Sequence, residues 1–173
     1  MLSQFTLSTE QKEQIIERTN AYIEKASQSL HINMASIDVR FDLSGKSSGM
    51  FVVRQGKACI RYNEIIFSSY FEDSVTNTVA HEVAHYVVYS MHKWKSVKPH
   101  GAEWKSIMSI FGVPPDVTSK YDISFLPLKQ QRRHDYTCKC MKHQLTTTRH
   151  NKVQNKKTIY HCKKCMQPLK YIG

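Results

Sequence analysis

A chain of 173 residues with a formal charge of +11 is long enough for one buried core and a small second unit, and too short for two ordinary domains. It has no apolar run that could span a bilayer, and residues 1–10 lack the features of a secretory signal, so we expect a cytoplasmic protein. Residues 129–173 hold 12 Lys or Arg against one acid, whereas residues 1–128 hold 13 basic and 13 acidic residues. The excess charge therefore lies in the last quarter of the chain, which favours a polyanionic partner such as nucleic acid.

The first part of the chain predicts one helix followed by a small sheet. Ser8 begins a possible capping box with the Gln three residues later, and apolar residues recur at helical spacing over residues 9–29. Alternating apolar and polar residues predict a half-buried strand over 37–43, and residues 50–54 and 57–62 predict two more strands around a turn. We expect an α+β fold with a small antiparallel sheet.

The next segment predicts a mostly buried helix that begins after Asp73, its N-cap, and ends at about residue 89 or 91. It carries the sequence His81-Glu-Val-Ala-His85. Residues four apart lie one above the other on a helix, so both imidazoles can reach one metal ion. Glu82 projects about 100° around the helix from His81, so it can approach a metal-bound water without becoming a ligand. This pattern is typical of zinc-dependent hydrolases.

A catalytic zinc needs a third protein ligand and an open position for water. His100 lies fifteen residues after His85, at the start of a further helix predicted over residues 101–111, and can fold back over the motif. His92 lies two turns beyond His85, about 10 Å along the helix axis, which is too far to share the ion. Spacing favours His100, and Glu103 remains the alternative.

The basic quarter of the chain contains four of the five cysteines, which in a reducing compartment indicates a metal site. Residues 129–173 cannot build a core alone, so a small β zinc ribbon is expected, with the metal supplying folding energy. Cys162 and Cys165 form a CxxC pair. Their partners are either Cys140 with His143, at the same spacing, or Cys138 with Cys140. A CxC pair strains one tetrahedral ion more, so spacing favours His143.

Three features together resemble the SprT family, related to the Spartan metalloproteases that degrade proteins crosslinked to DNA. They are the His81-to-His85 motif, His100-Gly-Ala-Glu-Trp-Lys105, and a basic cysteine-rich tail containing Arg149-His-Asn151. The resemblance covers residues 10–170. It implies a zincin-like metallopeptidase domain over residues 1–128, with His81, His85 and His100 as zinc ligands, followed by a basic zinc-ribbon domain over residues 129–173.

The resemblance also bears on the second metal site. Tails of this kind often carry a CxxC pair before their Arg-His, and counting back from Arg149 places that pair on Cys140 and His143. The predicted structural zinc is therefore held by Cys140, His143, Cys162 and Cys165, with Cys138 as the alternative to His143.

The predicted activity is zinc-dependent peptide hydrolysis, with one catalytic and one structural Zn²⁺. A zinc-activated water attacks the peptide carbonyl and Glu82 is the general base. Residues 57–62 are a candidate edge strand for an extended substrate. The alternative is a nucleic-acid-binding regulatory protein whose zinc is structural and which has no protease activity.

The basic residues of the tail are interleaved with Tyr136, His150 and Tyr160, which suits phosphate contacts and base stacking but not base-edge readout. We therefore expect binding to single-stranded or distorted DNA without sequence specificity. The resemblance implies a role in repair of DNA–protein crosslinks, and a monomer is assumed. In a bacterium it would associate with the nucleoid. The predicted DNA-binding residues are Lys139, Lys142, Arg149, Lys152, Lys156, Lys157, Lys163 and Lys164.

Overall fold

The structure is a computed structural model that describes residues 5–93, 97–118, 121–126 and 132–173. The chain divides into two compact units, Met1–Pro127 and Leu128–Gly173. The predicted boundary between residues 128 and 129 lies outside the described residues. Within the described ranges, no helix is both long enough and apolar enough to cross a membrane.

The first unit begins with helix α1, Thr9–Leu30. The predicted capping box is confirmed, because the Ser8 hydroxyl accepts from the Gln11 N–H at 3.2 Å while the Gln11 side chain accepts from the Ser8 N–H at 3.0 Å. The buried stripe of this helix, Ile15, Tyr22, Ile23 and Ala26, belongs to the main hydrophobic core. The apolar residues that recur at helical spacing in the sequence are therefore the residues of α1 that face the core.

A three-stranded sheet follows, formed by β1 (Asp38–Arg40), β2 (Gly49–Arg54) and β3 (Lys57–Tyr62) in the order β1-β3-β2. β2 and β3 form an antiparallel hairpin, but β1 runs parallel to β3. The prediction of an antiparallel sheet is therefore wrong for β1. The candidate edge strand, residues 57–62, is wrong as well, because β3 lies in the middle of the sheet and β1 and β2 are its two edges.

The loop between β1 and β2 explains this order, because it carries the chain across one end of β3. The Leu43 N–H donates to the Tyr62 carbonyl at 3.2 Å. The side-chain amide of Asn63, which is buried, donates to the carbonyls of Gly45 and Ser47 at 3.0 and 3.2 Å. These bonds satisfy the loop backbone and place β2 on the side of β3 opposite to β1.

The chain then continues as helices α2 (Glu64–Ser69), α3 (Phe71–Asp73), a π-helical turn (Ser74–Thr78), α4 (Val79–His92) and α5 (Ala102–Phe111). The prediction that Asp73 caps the motif helix is wrong, because Asp73 already has helical dihedral angles. Its carboxylate accepts hydrogen bonds from the Asn77 amide and the Tyr121 hydroxyl instead. Helix α5 ends as predicted, at Phe111 before Gly112 in the left-handed conformation.

Helix α4 is the centre of the first unit, since α1, α5 and β2 all pack against it. Most of its residues are buried, including Val79, Val83 and Val87, which have no exposed surface. Trp104 of α5 fills the space beside it and is 1% exposed. A helix held on three sides in this way fixes the positions of its polar side chains.

The second unit is a three-stranded antiparallel sheet with one helix. Strands β4 (Arg133–Thr137), β5 (Lys142–Thr146) and β6 (Lys170–Tyr171) have the order β5-β4-β6, and α6 (Thr147–Gln154) follows β5. The predicted zinc ribbon contained only β structure. That prediction is wrong in this respect, because the unit also contains the helix α6. Its Thr, His and Asn residues are poor helix formers. Tertiary contacts hold the helix: the His150 ring stacks on His134 at 3.8 Å and hydrogen-bonds the Tyr136 hydroxyl at 3.0 Å.

Candidate metal centres

Three histidine side chains converge in the first unit. His81 and His85 lie one turn apart on α4, and His100 comes from the segment just before α5. Their Nε2 atoms form a nearly equilateral triangle, with separations of 3.2 Å (His81 to His85), 3.1 Å (His85 to His100) and 3.0 Å (His100 to His81). A tetrahedral zinc with Zn–N bonds of about 2.0–2.1 Å requires nitrogens roughly 3.3 Å apart. The triangle therefore fits one zinc ion, with a fourth position left for another ligand.

The backbone and one aromatic side chain hold this triangle in place. His100 has φ 56°, a left-handed conformation that is uncommon outside glycine and that turns its ring toward α4. The Trp104 indole packs against all three imidazoles, with ring centroids 4.8 Å from His81, 5.8 Å from His85 and 4.8 Å from His100. Its Nε1–H donates to the His81 carbonyl at 3.3 Å. Trp104 therefore packs against one side of the three imidazoles and sets the distance between these rings and α5.

The electrostatic environment keeps the three imidazoles neutral. Burial, then the neighbouring His100, lowers the pKa of His81 to about 4, and a hydrogen bond with the Asp116 backbone opposes this shift. Burial, then His81 and His100, lowers the pKa of His85 to about 3, and burial also lowers the pKa of His100. Neutral imidazoles are the form that binds a metal, so the site has its lone pairs available at neutral pH.

Glu82 lies beside the histidines and is 6% exposed. Its Oε2 accepts a hydrogen bond of 2.7 Å from the Phe51 N–H of β2. Burial raises the pKa of Glu82 to about 8, and the Phe51 bond lowers it. A nearby cation favours the ionised carboxylate, so a metal on the three imidazoles would oppose the effect of burial.

Gly49 is the residue that makes room for this carboxylate. A Cβ atom at Gly49 would lie 2.6 Å from the Glu82 Cγ, 2.7 Å from the Glu82 Oε1 and 2.9 Å from a Thr78 methyl carbon. Gly49 has no positive φ, so its backbone conformation does not require glycine. The close approach of β2 to α4 is the reason that a side chain does not fit there.

Two cavities meet at the histidines and Glu82. The larger, about 760 Å³, is lined largely by polar residues from the β1–β2 loop, the π-helical turn and the segment after α5. The smaller, about 300 Å³, is lined mainly by apolar residues of β2, the C-terminal half of α4 and residues 97–100. Gly49, His81 and Glu82 line both cavities, so the candidate metal site is open to a ligand from two sides.

The second cluster consists of the four cysteines Cys138, Cys140, Cys162 and Cys165, whose Sγ atoms all lie within 4.8 Å of one another. The sulfurs of Cys138 and Cys140 are 3.4 Å apart, and those of Cys140 and Cys162 are 3.6 Å apart. These distances are too long for disulfides and close to the roughly 3.8 Å expected for four thiolates around zinc with bonds of about 2.3 Å. The cluster therefore fits a structural zinc.

The geometry of this cluster favours the alternative fourth ligand, Cys138, over His143. Cys138 and Cys140 lie in the tight loop between β4 and β5, where the Cys138 N–H donates to the Met141 carbonyl at 3.2 Å. The loop turns both thiols to one side, which removes the strain expected of a CxC pair. His143 lies on β5, and its Nε2 is 3.3 Å from the Cys138 sulfur, so it contacts the cluster without belonging to it.

The predicted DNA-binding side chains are exposed on the second unit. None of them forms a salt bridge within residues 132–173, and the Arg149 guanidinium lies over the Tyr160 ring at 5.7 Å. They lie on the β4–β5 loop, on β5, on and after α6, and in the CxxC turn, at Lys139, Lys142, Arg149, Lys152, Lys156, Lys157, Lys163 and Lys164. Their charges are therefore available to an anionic partner.

Sequence reasoning missed the contributions of β2 to the site. The strand predicted over residues 50–54 includes Phe51 but gives it no role at the site, and it leaves out Gly49. The close approach of a glycine to a side chain 33 positions away leaves no local pattern. Trp104, in contrast, was visible as an aromatic residue near His100, although its packing under three imidazoles was not.

A helix with His81 and His85 one turn apart, a third histidine at the same point and a buried glutamate beside them are consistent with a zinc metallopeptidase. Comparison with known proteins identifies the family to which the chain belongs. Residues 13–121 match the SprT-like family, and the chain belongs to that family. The resemblance found in the sequence is therefore confirmed.

Several curated relatives are named Protein SprT. The chain is 34% identical to the one from Vibrio parahaemolyticus over 136 residues, which cover 78% of each chain. It is 35% identical to the Pasteurella multocida protein over 128 residues, or 73% of each chain, and 30% identical to the Actinobacillus succinogenes protein over 163 residues, or 94% of this chain and 92% of the relative. No solved structure matches the chain.

Proposed function

We propose that this chain is a zinc metallopeptidase that cleaves proteins bound or crosslinked to DNA. The observation that carries the proposal is the triangle of three Nε2 atoms with a buried carboxylate on the same helix. Three neutral nitrogen ligands leave one position open, which distinguishes a catalytic zinc site from a closed structural one. The four-cysteine cluster has the closed ligand set of a structural site.

The mechanism assigns a separate task to each group. Zinc at the three imidazoles would supply a Lewis acid and lower the pKa of a water in its open position. Glu82 accepts the proton of the attacking water and donates it to the leaving amine as the peptide bond breaks. The Phe51 N–H holds one oxygen of Glu82, and the other lies near Gly49. Trp104 keeps the imidazoles in register with this carboxylate.

The exposed edge of β2 is suited to hold an extended substrate. Ser48 accepts from the Asn63 N–H at 2.8 Å, so in this antiparallel ladder the Gly49–Tyr62 and Phe51–Ile60 pairs are the ones without mutual hydrogen bonds. The backbone groups of Gly49, Phe51 and Val53 consequently point away from β3. The Phe51 N–H is already bonded to Glu82 on that side, so an extended peptide would pair with Gly49 and Val53. Gly49 and Phe51 line the same cavity as the three histidines, so a peptide added along this edge would lie beside the candidate metal site.

The charge of the second unit supports the DNA part of the proposal. Residues 1–128 are formally neutral, and residues 129–173 carry the whole excess of +11. Exposed lysines without acidic partners bind phosphates by counterion release, which does not depend on base sequence. We propose that this unit binds single-stranded or distorted DNA and brings the peptidase site to proteins held there.

Proteolysis of a DNA-binding protein, with and without single-stranded DNA, tests both parts of the proposal. We expect cleavage that is faster with DNA, stops when a chelator removes zinc and returns when zinc is restored. The control adds the same DNA at 0.5 M salt, where binding through phosphates is weak. Absence of cleavage by a chain that contains two zinc ions would favour the alternative of a nucleic-acid-binding protein with structural zinc. Cleavage that is equally fast without DNA would contradict the proposed role of DNA and leave the proposed peptidase activity standing.

A further inference from the structure

The smaller cavity beside the histidines has a consistent chemical character. Its volume is about 300 Å³, and it lies between β2, the C-terminal half of α4 and the segment before His100. Away from the candidate metal site, His92 and Lys98 are its polar residues, and apolar and aromatic side chains line most of the rest: Met50, Phe51, Val88, Tyr89, Val97 and Trp104. The size is at the lower end of the range for ligand pockets, which suits one large side chain better than a whole cofactor.

The cavity is continuous with the candidate metal site. His81, Glu82, His85 and His100 form one of its walls, so a group inside it lies next to the point where the peptide bond would be cleaved. The larger cavity on the other side of the same histidines differs, because Asp73, Asp116 and several hydroxyl and amide groups line it. An extended peptide across the site would therefore place its two ends in chemically different surroundings.

Resting on the proposed peptidase function, we propose that the smaller cavity is a substrate subsite for one large apolar side chain, such as Leu, Met or Phe, next to the scissile bond. Side chains of a peptide paired with β2 alternate between two faces, so one of them can enter the cavity while its neighbours remain outside. Such a residue is normally buried in a folded protein, so the subsite selects unfolded or locally opened segments.

The preference for a large apolar side chain follows from the residues that line the smaller cavity. Burying a large aliphatic or aromatic side chain there increases affinity by about tenfold to a hundredfold relative to glycine. A charged side chain would lose its hydration there, and Lys98, His92 and Glu82 replace only part of it, so it should bind less well than an apolar side chain. The subsite would thus determine which peptide bond is cleaved, while the DNA-binding unit would determine which protein is cleaved.

Mapping the cleavage sites in a disordered protein by mass spectrometry tests the subsite. We expect large apolar residues to be enriched at one fixed position next to the cut bonds. Val97→Phe partly fills the cavity and should reduce cleavage at those bonds at least tenfold while retaining cleavage next to Gly or Ala. The matched control is Val117→Phe, the same substitution at an exposed position that lines the larger cavity, and it should leave the preference unchanged.

A binding measurement keeps the test independent of turnover and of how well Val97→Phe folds. Zinc-loaded Glu82→Gln should bind leucine hydroxamate at least tenfold more tightly than glycine hydroxamate by calorimetry. Equal or absent binding of the two compounds would overturn the subsite. Cleavage by the unaltered chain with no fixed apolar position would also overturn it and leave the proposed peptidase standing. Absence of any cleavage would overturn both.

Discussion

Substituting Gly49 by alanine places a methyl group against the Glu82 side chain. The new carbon would lie 2.6 Å from the Glu82 Cγ, whereas non-bonded carbons are at their optimum separation at about 3.5–4.0 Å. The side chain of Glu82 must therefore move by roughly 1 Å, since β2 is held by its ladder with β3. A displacement of about 1 Å in a catalytic group costs about a hundredfold in rate, which corresponds to about 2.7 kcal/mol.

The expected result for Gly49→Ala is a fall in kcat of about a hundredfold with zinc content unchanged. Zinc is retained because the three nearest atoms to the new methyl belong to Glu82 and Thr78 and not to the histidines. The assay is steady-state cleavage of a peptide, with metal content measured on the same sample. Overpacking should also destabilise the fold by about 1–3 kcal/mol, which thermal unfolding would measure.

Gly56→Ala is the matched control for this variant. Gly56 lies in the β2–β3 turn with φ +77° and has no atom within 4 Å of a Cβ built on it. The substitution should cost about 1–2 kcal/mol in stability, because the turn conformation is unfavourable for alanine, and leave kcat unchanged. If Gly49→Ala keeps more than a third of the kcat of the unaltered chain, the close approach of β2 does not determine the position of Glu82.

Two further predictions concern the second unit. Cys138→Ser should reduce the zinc content from two ions to about one per chain by elemental analysis, whereas His143→Ala should keep two, and the opposite result would restore His143 as the ligand. Replacing Lys163 and Lys164 by alanine should make the slope of log K against log salt for single-stranded DNA shallower by about 1.4. Lys57→Ala, an exposed charge on the first unit, should leave that slope unchanged, and equal effects of both changes would contradict a DNA site on the second unit.

The sequence predicted those parts of the structure that depend on local spacing. The i, i+4 relation of His81 and His85 is a property of the helix itself, and the capping box at Ser8 needs only four consecutive residues. The stop of α5 at Gly112 is equally local. These predictions needed no knowledge of which elements pack together, and the structure confirms them.

The parts that depend on tertiary structure were not predictable in the same way. Residues 57–62 and 49–54 have similar strand patterns, and only the loop bonds to Asn63 decide which of them is central. Helix α6 forms from weak helix formers because His150 packs on His134 and bonds to Tyr136. The fit of Gly49 against Glu82 depends on the distance between a strand and a helix, which the sequence does not encode locally.

The proposed peptidase mechanism is tested by the cleavage rate of Glu82→Gln, measured on samples that contain two zinc ions per chain. Glutamine nearly preserves the shape of the side chain and can still accept the Phe51 hydrogen bond, but it cannot take a proton from water. We expect a loss of at least about a hundredfold in rate, with DNA binding unchanged. A zinc-loaded variant that cleaves within threefold of the unaltered chain would contradict the assignment of Glu82 as the general base.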